Sequence, residues 1–305
     1  MRHQPAEHGP PPRLRVDLMA VTAVILLASV FPVNLVPSAV QEVPGIDGQF
    51  SGKQGDILLV TVPAHGRTAE AVGEFLGRRI PFFLNGSSGY VGLLGLDMQD
   101  PPGSHELTVQ LNGADPPHKL SYNVLVLKEQ FPAQHLTLPK DQVDLDDKAL
   151  ARAKAEQEQA REVLAHVSTD RFWHGSFIEP VQGQITGAFG SVRVINGQAR
   201  SPHNGEDIAA PLGTEVVAIN DGVVRLTADH FFAGHGIFLD HGLGLYSMYF
   251  HLSEIVVREG QRVTRGQVIG KVGASGRASG PHLHWGVRVN GARVNPYSLL
   301  RLRVE

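Results

Sequence analysis

Apolar and polar positions in this chain alternate in short runs, and glycine, proline, asparagine or aspartate closes most of them. Ile57-Leu-Leu-Val-Thr-Val62 and Leu120-Ser-Tyr-Asn-Val-Leu-Val-Leu127 read as strands, and Leu107-Thr-Val-Gln-Leu111 alternates with the period of two of a half-buried strand. Pro63, Gly66, Asn85-Gly86, Asp100-Pro-Pro-Gly103 and Asn112-Gly113 punctuate them. This spacing predicts a small antiparallel, Ig-like β-sandwich over residues 41–130. The pattern then changes. Asp146 to Val167 is rich in Ala, Lys, Glu, Gln and Arg, and Asp146 and Asp147 suit the positive end of a helix dipole. Beyond its alanines the apolar members are Leu150, Val163 and Leu164, a thin face. A helix packed on both flanking domains, inside a linker over residues 131–175, fits that face, with a partner-binding helix as the alternative.

From Gln182 to Asn295 the β pattern returns. Thr214 to Ile219 and Val223 to Leu226 flank Asn220-Asp221-Gly222, which predicts a hairpin. Gly236 to Asp240 and Leu245 to Phe250 flank His241-Gly-Leu-Gly244, which predicts another. Val263, Val268-Ile269 and Val272 sit among glycines. The expected class is therefore mainly β: an N-terminal Ig-like β-sandwich, a linker helix, and a C-terminal glycine-rich β-sandwich or barrel over residues 176–305.

The N-terminus adds a targeting signal. Arg13 and Arg15 precede an apolar run of 14 residues, Leu18 to Phe31. As a helix it spans about 21 Å, short of the roughly 30 Å hydrocarbon core. Pro32, Asn34 and Pro37 interrupt it, and Ser38 and Ala39 offer a cleavage point. Residues 1–40 read as a signal peptide, with a membrane anchor as the alternative, and the body as exported to the periplasm or cell envelope.

Composition narrows the chemistry. The net charge of −3 comes without a long basic run, so nucleic acid is not an expected partner. The absence of cysteine removes disulfides, thiolate metal sites and a cysteine nucleophile together. Any metal must be held by His, Asp or Glu. Three clusters in the C-terminal third supply these: His203-Asn-Gly-Glu-Asp207, Tyr249-Phe-His251 and His282-Leu-His284. Three such ligands and a water make a catalytic zinc site, and surplus histidines can handle protons. His282 and His284 share a face if they lie on a strand. Gly205 and Ala209-Ala-Pro211 place His203 and Asp207 on a loop running into a strand rather than on a helix. Alone, His282-x-His284 is equally a polar strand face, and the His203 and Asp207 pair is also a weak signal; the combination within one glycine-rich β-domain carries it.

Ser201-Pro-His-Asn-Gly-Glu-Asp-Ile-Ala-Ala-Pro-Leu-Gly-Thr214 resembles the first motif of the lysostaphin/LytM-type zinc endopeptidases, and Ala274-Ser-Gly-Arg-Ala-Ser-Gly-Pro-His-Leu-His284 their closing motif. Asp240-His-Gly-Leu-Gly244, Tyr249-Phe-His-Leu-Ser253 and Val263-Thr-Arg-Gly-Gln-Val-Ile-Gly270 resemble the middle segments, in order, within Gln182 to Tyr297. The resemblance implies a hybrid-barrel peptidase domain over 176–305. It implies one Zn2+ per chain, held by His203, Asp207 and His284, with His251 and His282 as catalytic histidines that do not bind the metal. The implied reaction is hydrolysis of peptide crosslinks or bridges of peptidoglycan by a zinc-activated water. The N-terminal sandwich resembles the accessory domain that precedes this peptidase domain in some bacterial members, and with its helix could cover the cleft.

Two other readings compete. A non-catalytic peptidoglycan-binding regulator, or an activator of another hydrolase, would need no intact site; all five positions are occupied. A swinging-arm carrier is suggested by Val257 to Gly270, but Lys271 falls in a strand-like run instead of a hairpin tip. Departures from the family pattern are Glu206, where an apolar residue is usual, and Ser275 for threonine. Among the remaining residues, Arg193 and Asn196 are candidate substrate contacts, and Tyr249 either lines the cleft or packs in the core. His241 is expected to hold a turn. His230 and His235 are expected in a loop, where a second metal site is the sharper alternative.

Overall fold

The structure is a computed structural model that describes residues 48–63, 70–86, 89–113, 118–136 and 145–303. The leader expected over residues 1–40 lies outside them. No helix among the described residues is long and apolar enough to cross a membrane.

The alternating runs of the N-terminal half become seven strands: β1 (Gln49–Lys53), β2 (Ile57–Val62), β3 (Glu70–Phe75), β4 (Arg78–Leu84), β5 (Tyr90–Gly95), β6 (Gly103–Asn112) and β7 (His118–Leu127). Their order is β1-β7-β6-β3-β4-β5-β2. Inward positions of these strands, among them Val60, Phe75, Ile80, Leu107, Val109, Leu111 and Val124, form one buried cluster. The arrangement is not antiparallel throughout, because β1 runs parallel to β7. The two are joined through the whole sandwich and not by a hairpin, so no turn forces them to oppose.

The linker supplies β8 (Ala133–Leu136) and the helix α1 (Asp147–Ala165). Asp146 caps α1, its carboxylate accepting from Ala149 N at 2.7 Å. Ala160, Val163 and Leu164, spaced three and four apart, lay the thin apolar face on Leu226, Phe238, Met248 and Phe250. These contacts are all with the C-terminal sheet, whereas the sequence suggested packing on both domains. The face is one turn and a half wide and covers one patch.

The C-terminal elements are β9 (Gln184–Gly187), β10 (Val192–Ile195), β11 (Gln198–Ala199), β12 (Gly205–Ala209), β13 (Glu215–Val217), β14 (Gly222–His230), β15 (Gly234–Gly242), β16 (Leu245–Ile255), β17 (Arg262–Val263), β18 (Val268–Val272), β19 (His282–Val289), β20 (Ala292–Val294) and the short helix α2 (Pro296–Leu300). The main sheet runs β17-β14-β15-β16-β19-β12-β9, with β18 joining β13 to β16. The hairpin expected at Asn220-Asp221-Gly222 does not form: β13 pairs β18, and β14 pairs β15 and β17. A two-residue hairpin turn of that type needs positive φ, and neither Asn220 nor Asp221 has it. The Asn220 side chain instead binds the backbone at His174 and Ser176. Lys271 lies inside β18 with its Nζ 2.7 Å from Glu254, which does not suit a carrier's swinging arm.

The two halves share a core. Ile57 and Leu93 belong to the same buried cluster as Trp173, Val289, Ala292 and Val294. Asp97 binds the guanidinium of Arg293 at 2.6 and 2.9 Å and also accepts from Arg293 N at 2.7 Å. Breaking one side of so buried a pair leaves the other uncompensated. Arg293→Ala should cost about 3 kcal/mol of unfolding free energy, read as a lower urea midpoint; an unchanged midpoint would show that the pair is not holding the halves together.

Candidate metal centre

Strands β12 and β19 are antiparallel neighbours, and the register sets Asp207 directly opposite His284 and Ala209 opposite His282. His282 and His284, two apart on β19, therefore present the same face towards Asp207. His203 lies two residues before β12 and its ring returns to the carboxylate. The donor atoms converge: His203 Nε2 is 3.0 Å from His284 Nδ1 and 3.0 Å from Asp207 Oδ1, and His284 Nδ1 is 2.8 Å from Asp207 Oδ1. All three residues are buried.

This donor set fits a cation. His203 Nδ1–H donates to Ala188 O at 3.1 Å, so its Nε2 carries a lone pair in the neutral ring. That nitrogen then faces the Asp207 oxygen with no hydrogen between them. One proton on His284 Nδ1 relieves one contact and leaves the other. A cation at the centre satisfies all three, and two imidazoles with a carboxylate suit zinc.

Electrostatics agree. Burial alone would raise the Asp207 pKa, but its polar contacts with the His203 and His284 rings outweigh that, holding the carboxyl far below the usual range, so that Asp207 is an anion available to a cation. Burial pushes His284 down to about 4. The His284 ring is stacked on Phe250, with centroids 5.6 Å apart and planes within 7°. Its other side is closed by Gly205, where a Cβ would stand 2.6 Å from His284 Nε2.

The two remaining histidines stand beside this group. The His251 and His282 rings are 4.7 Å apart, and His251 is 6.1 Å from His284. His282 Nε2 is 3.8 Å from Asp207 Oδ1, beyond hydrogen-bond reach. His251 Nδ1–H donates to Ser275 O and His282 Nδ1–H to Gly280 O, each at 2.8 Å. Both Nε2 atoms are thereby left with lone pairs. Burial first, then repulsion from His284 and His282, pushes His251 down to about 3, so its ring is neutral at pH 7. Its backbone has φ +62°, a left-handed conformation that is costly for histidine and is held by its N–H on Ala233 O at 2.9 Å.

Two turns support these histidines. Phe231 to Ala233 connects β14 to β15, and residues 273–281 connect β18 to β19. Ser275 Oγ donates to Leu252 O at 2.7 Å and accepts from His235 N at 2.9 Å. Arg277 N donates to Phe232 O at 2.9 Å, and its guanidinium lies 4.2 Å from the centre of the Phe232 ring. Gly276 permits the approach, since a Cβ there would collide with the backbone of Gly234. The first turn is anchored to α1: Glu156 accepts from Phe231 N at 2.7 Å, and Arg152 donates to Asp229 O at 2.8 Å.

All five residues singled out from the sequence thus meet at one place. Other expectations change. Tyr249 is fully buried, its hydroxyl bonded to Ile219 N and Ser247, so it belongs to the core and does not line the cleft. His230 and His235 sit on the ends of β14 and β15, not in a loop, and His230 binds Gln159 of α1. Among the described residues the one candidate metal cluster is His203, Asp207 and His284. His241 lies within β15 and not in the turn itself, buried between Asp221 O and Ser247 Oγ, each 2.7 Å away, so that it ties the segment before β14 to β16. Arg193 meets Asp207 Oδ2 at 2.9 Å, which accounts for its guanidinium without a substrate. Sequence reasoning missed the carbonyls of Ala188, Ser275 and Gly280, which leave no trace in residue type.

A profile of Peptidase family M23 matches residues 201–296. The peptidoglycan DD-endopeptidase ShyA of Vibrio cholerae is 48% identical over 95 residues, covering 31% of this chain and 22% of that protein. The DD-carboxypeptidase/endopeptidase Mpg of Neisseria meningitidis is 44% identical over 97 residues, covering 32% and 22%. The matches thus span about a fifth of the length of these curated relatives. A crystal structure of a candidate M23 peptidase from Pseudomonas aeruginosa superposes over 81% of this chain and 94% of its own, with TM-score 0.65 and 30% identity.

Glu206 turns to the opposite face of β12 from Asp207, where one carboxylate oxygen accepts from the Phe189 backbone and Oε2 has no partner. Burial, with a smaller push from Asp207, raises it to about 7. A carboxyl raised in the folded state favours folding below its unfolded value and loses that contribution as pH rises through the folded value. The loss falls between about pH 4.5 and 7 and amounts to roughly 3 kcal/mol. Glu206→Gln should therefore gain stability relative to wild type on going from pH 5 to pH 8 in the metal-free protein. Parallel melting curves across that range would contradict this.

Proposed function

Because this chain belongs to peptidase family M23, we propose that it is an exported zinc metalloendopeptidase acting on peptide crosslinks or bridges of bacterial peptidoglycan. The organisation that goes with this reading is a leader over residues 1–40, an accessory Ig-like sandwich over 41–130, a linker with helix over 131–175 and the peptidase domain over 176–305. Its site comprises His203, Asp207 and His284 as metal ligands, with His251 and His282 as the proton-handling residues. The observation that carries the catalytic reading is the pair of free Nε2 atoms on His251 and His282 beside a converging ligand set. A regulator that only binds peptidoglycan has no need of such a pair. The names of the Vibrio and Neisseria relatives favour D,D-crosslinks as the bond.

When bound, zinc supplies Lewis acidity towards water and towards a peptide carbonyl. The remaining work falls to the chain. His251 is neutral at pH 7, and its Nε2 can accept a proton from an attacking water. The protonated His251 can then hand that proton to the leaving amine, while His282 Nε2 lies across the same space and, with its ring protonated, can stabilise charge on the carbonyl oxygen. Each ring is aimed by a backbone carbonyl on its Nδ1–H, so the reacting nitrogen is fixed without a carboxylate partner.

The test is cleavage of purified peptidoglycan by the chain from residue 41 onward, with products identified by mass spectrometry. New peptide ends are expected that vanish with chelator and return with zinc. His251→Ala and His282→Ala should each retain zinc and lose about 100-fold or more in turnover. Asp207→Ala should purify without zinc. Zinc-loaded protein that leaves peptidoglycan intact yet binds it would move the assignment to the non-catalytic regulator.

A further inference from the structure

We propose that Arg193 is a positioning residue for the metal centre and that Gln134, on the linker strand β8, holds it in place. The proposal rests on the reading that His203, Asp207 and His284 hold the metal. The Asp207 carboxylate has two oxygens with different tasks. Oδ1 faces both imidazoles, and Oδ2 takes a charge-assisted hydrogen bond from Arg193 Nη2 at 2.9 Å. With Oδ1 alone held, the carboxylate is free to rotate about its own bond, either turning away or presenting both oxygens. An anchor on the far oxygen fixes its plane and leaves one oxygen for the cation. The guanidinium also offsets a carboxylate whose side chain is only 12% exposed.

Arg193 is itself supported by the linker. Its Nε donates to Gln134 Oε1 at 3.2 Å. The two residues lie side by side because β8 and β10 pair in parallel with Arg193 in register with Gln134. The pairing begins with Val192 N on Pro132 O at 2.8 Å. Just before it, the Phe131 ring packs on Phe189, with centroids 5.9 Å apart. Across the β10–β11 turn, Arg200 N donates to Arg193 O at 2.8 Å. A path of direct contacts therefore runs from the linker to the far oxygen of Asp207, and Gln134 lies well outside the segment that carries the five polar side chains.

The experiment measures zinc affinity of the full chain by competition with a chromophoric chelator, and the visible spectrum of the cobalt-substituted protein. Arg193→Gln should raise the zinc Kd by about 10- to 100-fold and shift the cobalt bands. Arg193→Lys, which keeps a cation and a donor, should recover part of that loss, and Gln134→Ala should raise Kd a few-fold. Arg79→Ala on the N-terminal sheet serves as the control and should change neither. Wild-type protein that binds no zinc would remove the underlying reading. Wild-type binding with an equal or lower Kd in Arg193→Gln would overturn the positioning role alone. If Arg193→Gln does not fold, the other two variants decide, and an unchanged Kd and cobalt spectrum in both overturns the proposal.

Discussion

A carboxylate removed from water has to be given back the hydrogen bonds and opposite charge it loses, and the C-terminal half of this chain is arranged around meeting that requirement at Asp207. The residue is only 9% exposed. Its two oxygens are approached from three elements: His203 before β12, His284 on β19, and Arg193 on β10. His284 could not reach it if β12 and β19 were out of register, because a slip of one residue would turn its side chain to the other face. The core beneath them, with Ile208, Leu283 and Trp285 fully buried, makes that register costly to change. Gly205 follows from the same demand, since any side chain there would occupy the space of the His284 ring.

The histidines divide by what their Nδ1 atoms do. In His203, His251 and His282 that nitrogen donates to a backbone carbonyl, so that Nε2 is the nitrogen turned towards the site. In His284 Nδ1 itself faces the carboxylate. Backbone carbonyls are more rigid partners than side chains, so the aim of each ring is set by the path of a loop. The loop paths are set in turn by close contact between the Phe231 turn and the segment 273–281, and by the anchoring of that turn to α1. A helix that looks like a plain spacer in sequence thereby reaches the ring of His251 through two intervening contacts.

Much of this was legible beforehand. Strand-like apolar runs located β2 and β7, period-two alternation located β6, and Asp146 gave the start of α1. The spacing of His282 and His284 placed both on one face, because a strand has a fixed period. Other features carry no local signature. The pairing of β13 with β18 depends on residues about 55 positions apart in sequence, and the Asn-Asp-Gly segment was misread since its side chains bind elsewhere. The parallel pairing of β1 with β7 and of β8 with β10 is equally non-local. Tyr249 carries a hydroxyl that suggests a cleft, yet Ile219 N and Ser247 satisfy it within the core. Glu206 stands at a position where the motif favours an apolar side chain, and the structure gives the reason: it is buried with one oxygen unpaired.

The segment matched by the family profile, residues 201–296, contains every polar side chain of the proposed site. It does not contain Ala188, which orients His203, or Arg193, which holds the far oxygen of Asp207, or the α1 residues that anchor the Phe231 turn. It also lacks Ile57 and Leu93, which close one side of its core. The groups proposed to react and the groups that aim them therefore occupy different stretches of the chain. Side chains that bind or transfer protons are constrained by chemistry to a few residue types, which is why motifs find them. Groups that aim them act through carbonyls, register and packing, which many sequences supply. A boundary drawn around the motifs is thus a boundary of chemistry, and the physical unit on which that chemistry depends extends back through the linker to the N-terminal sandwich.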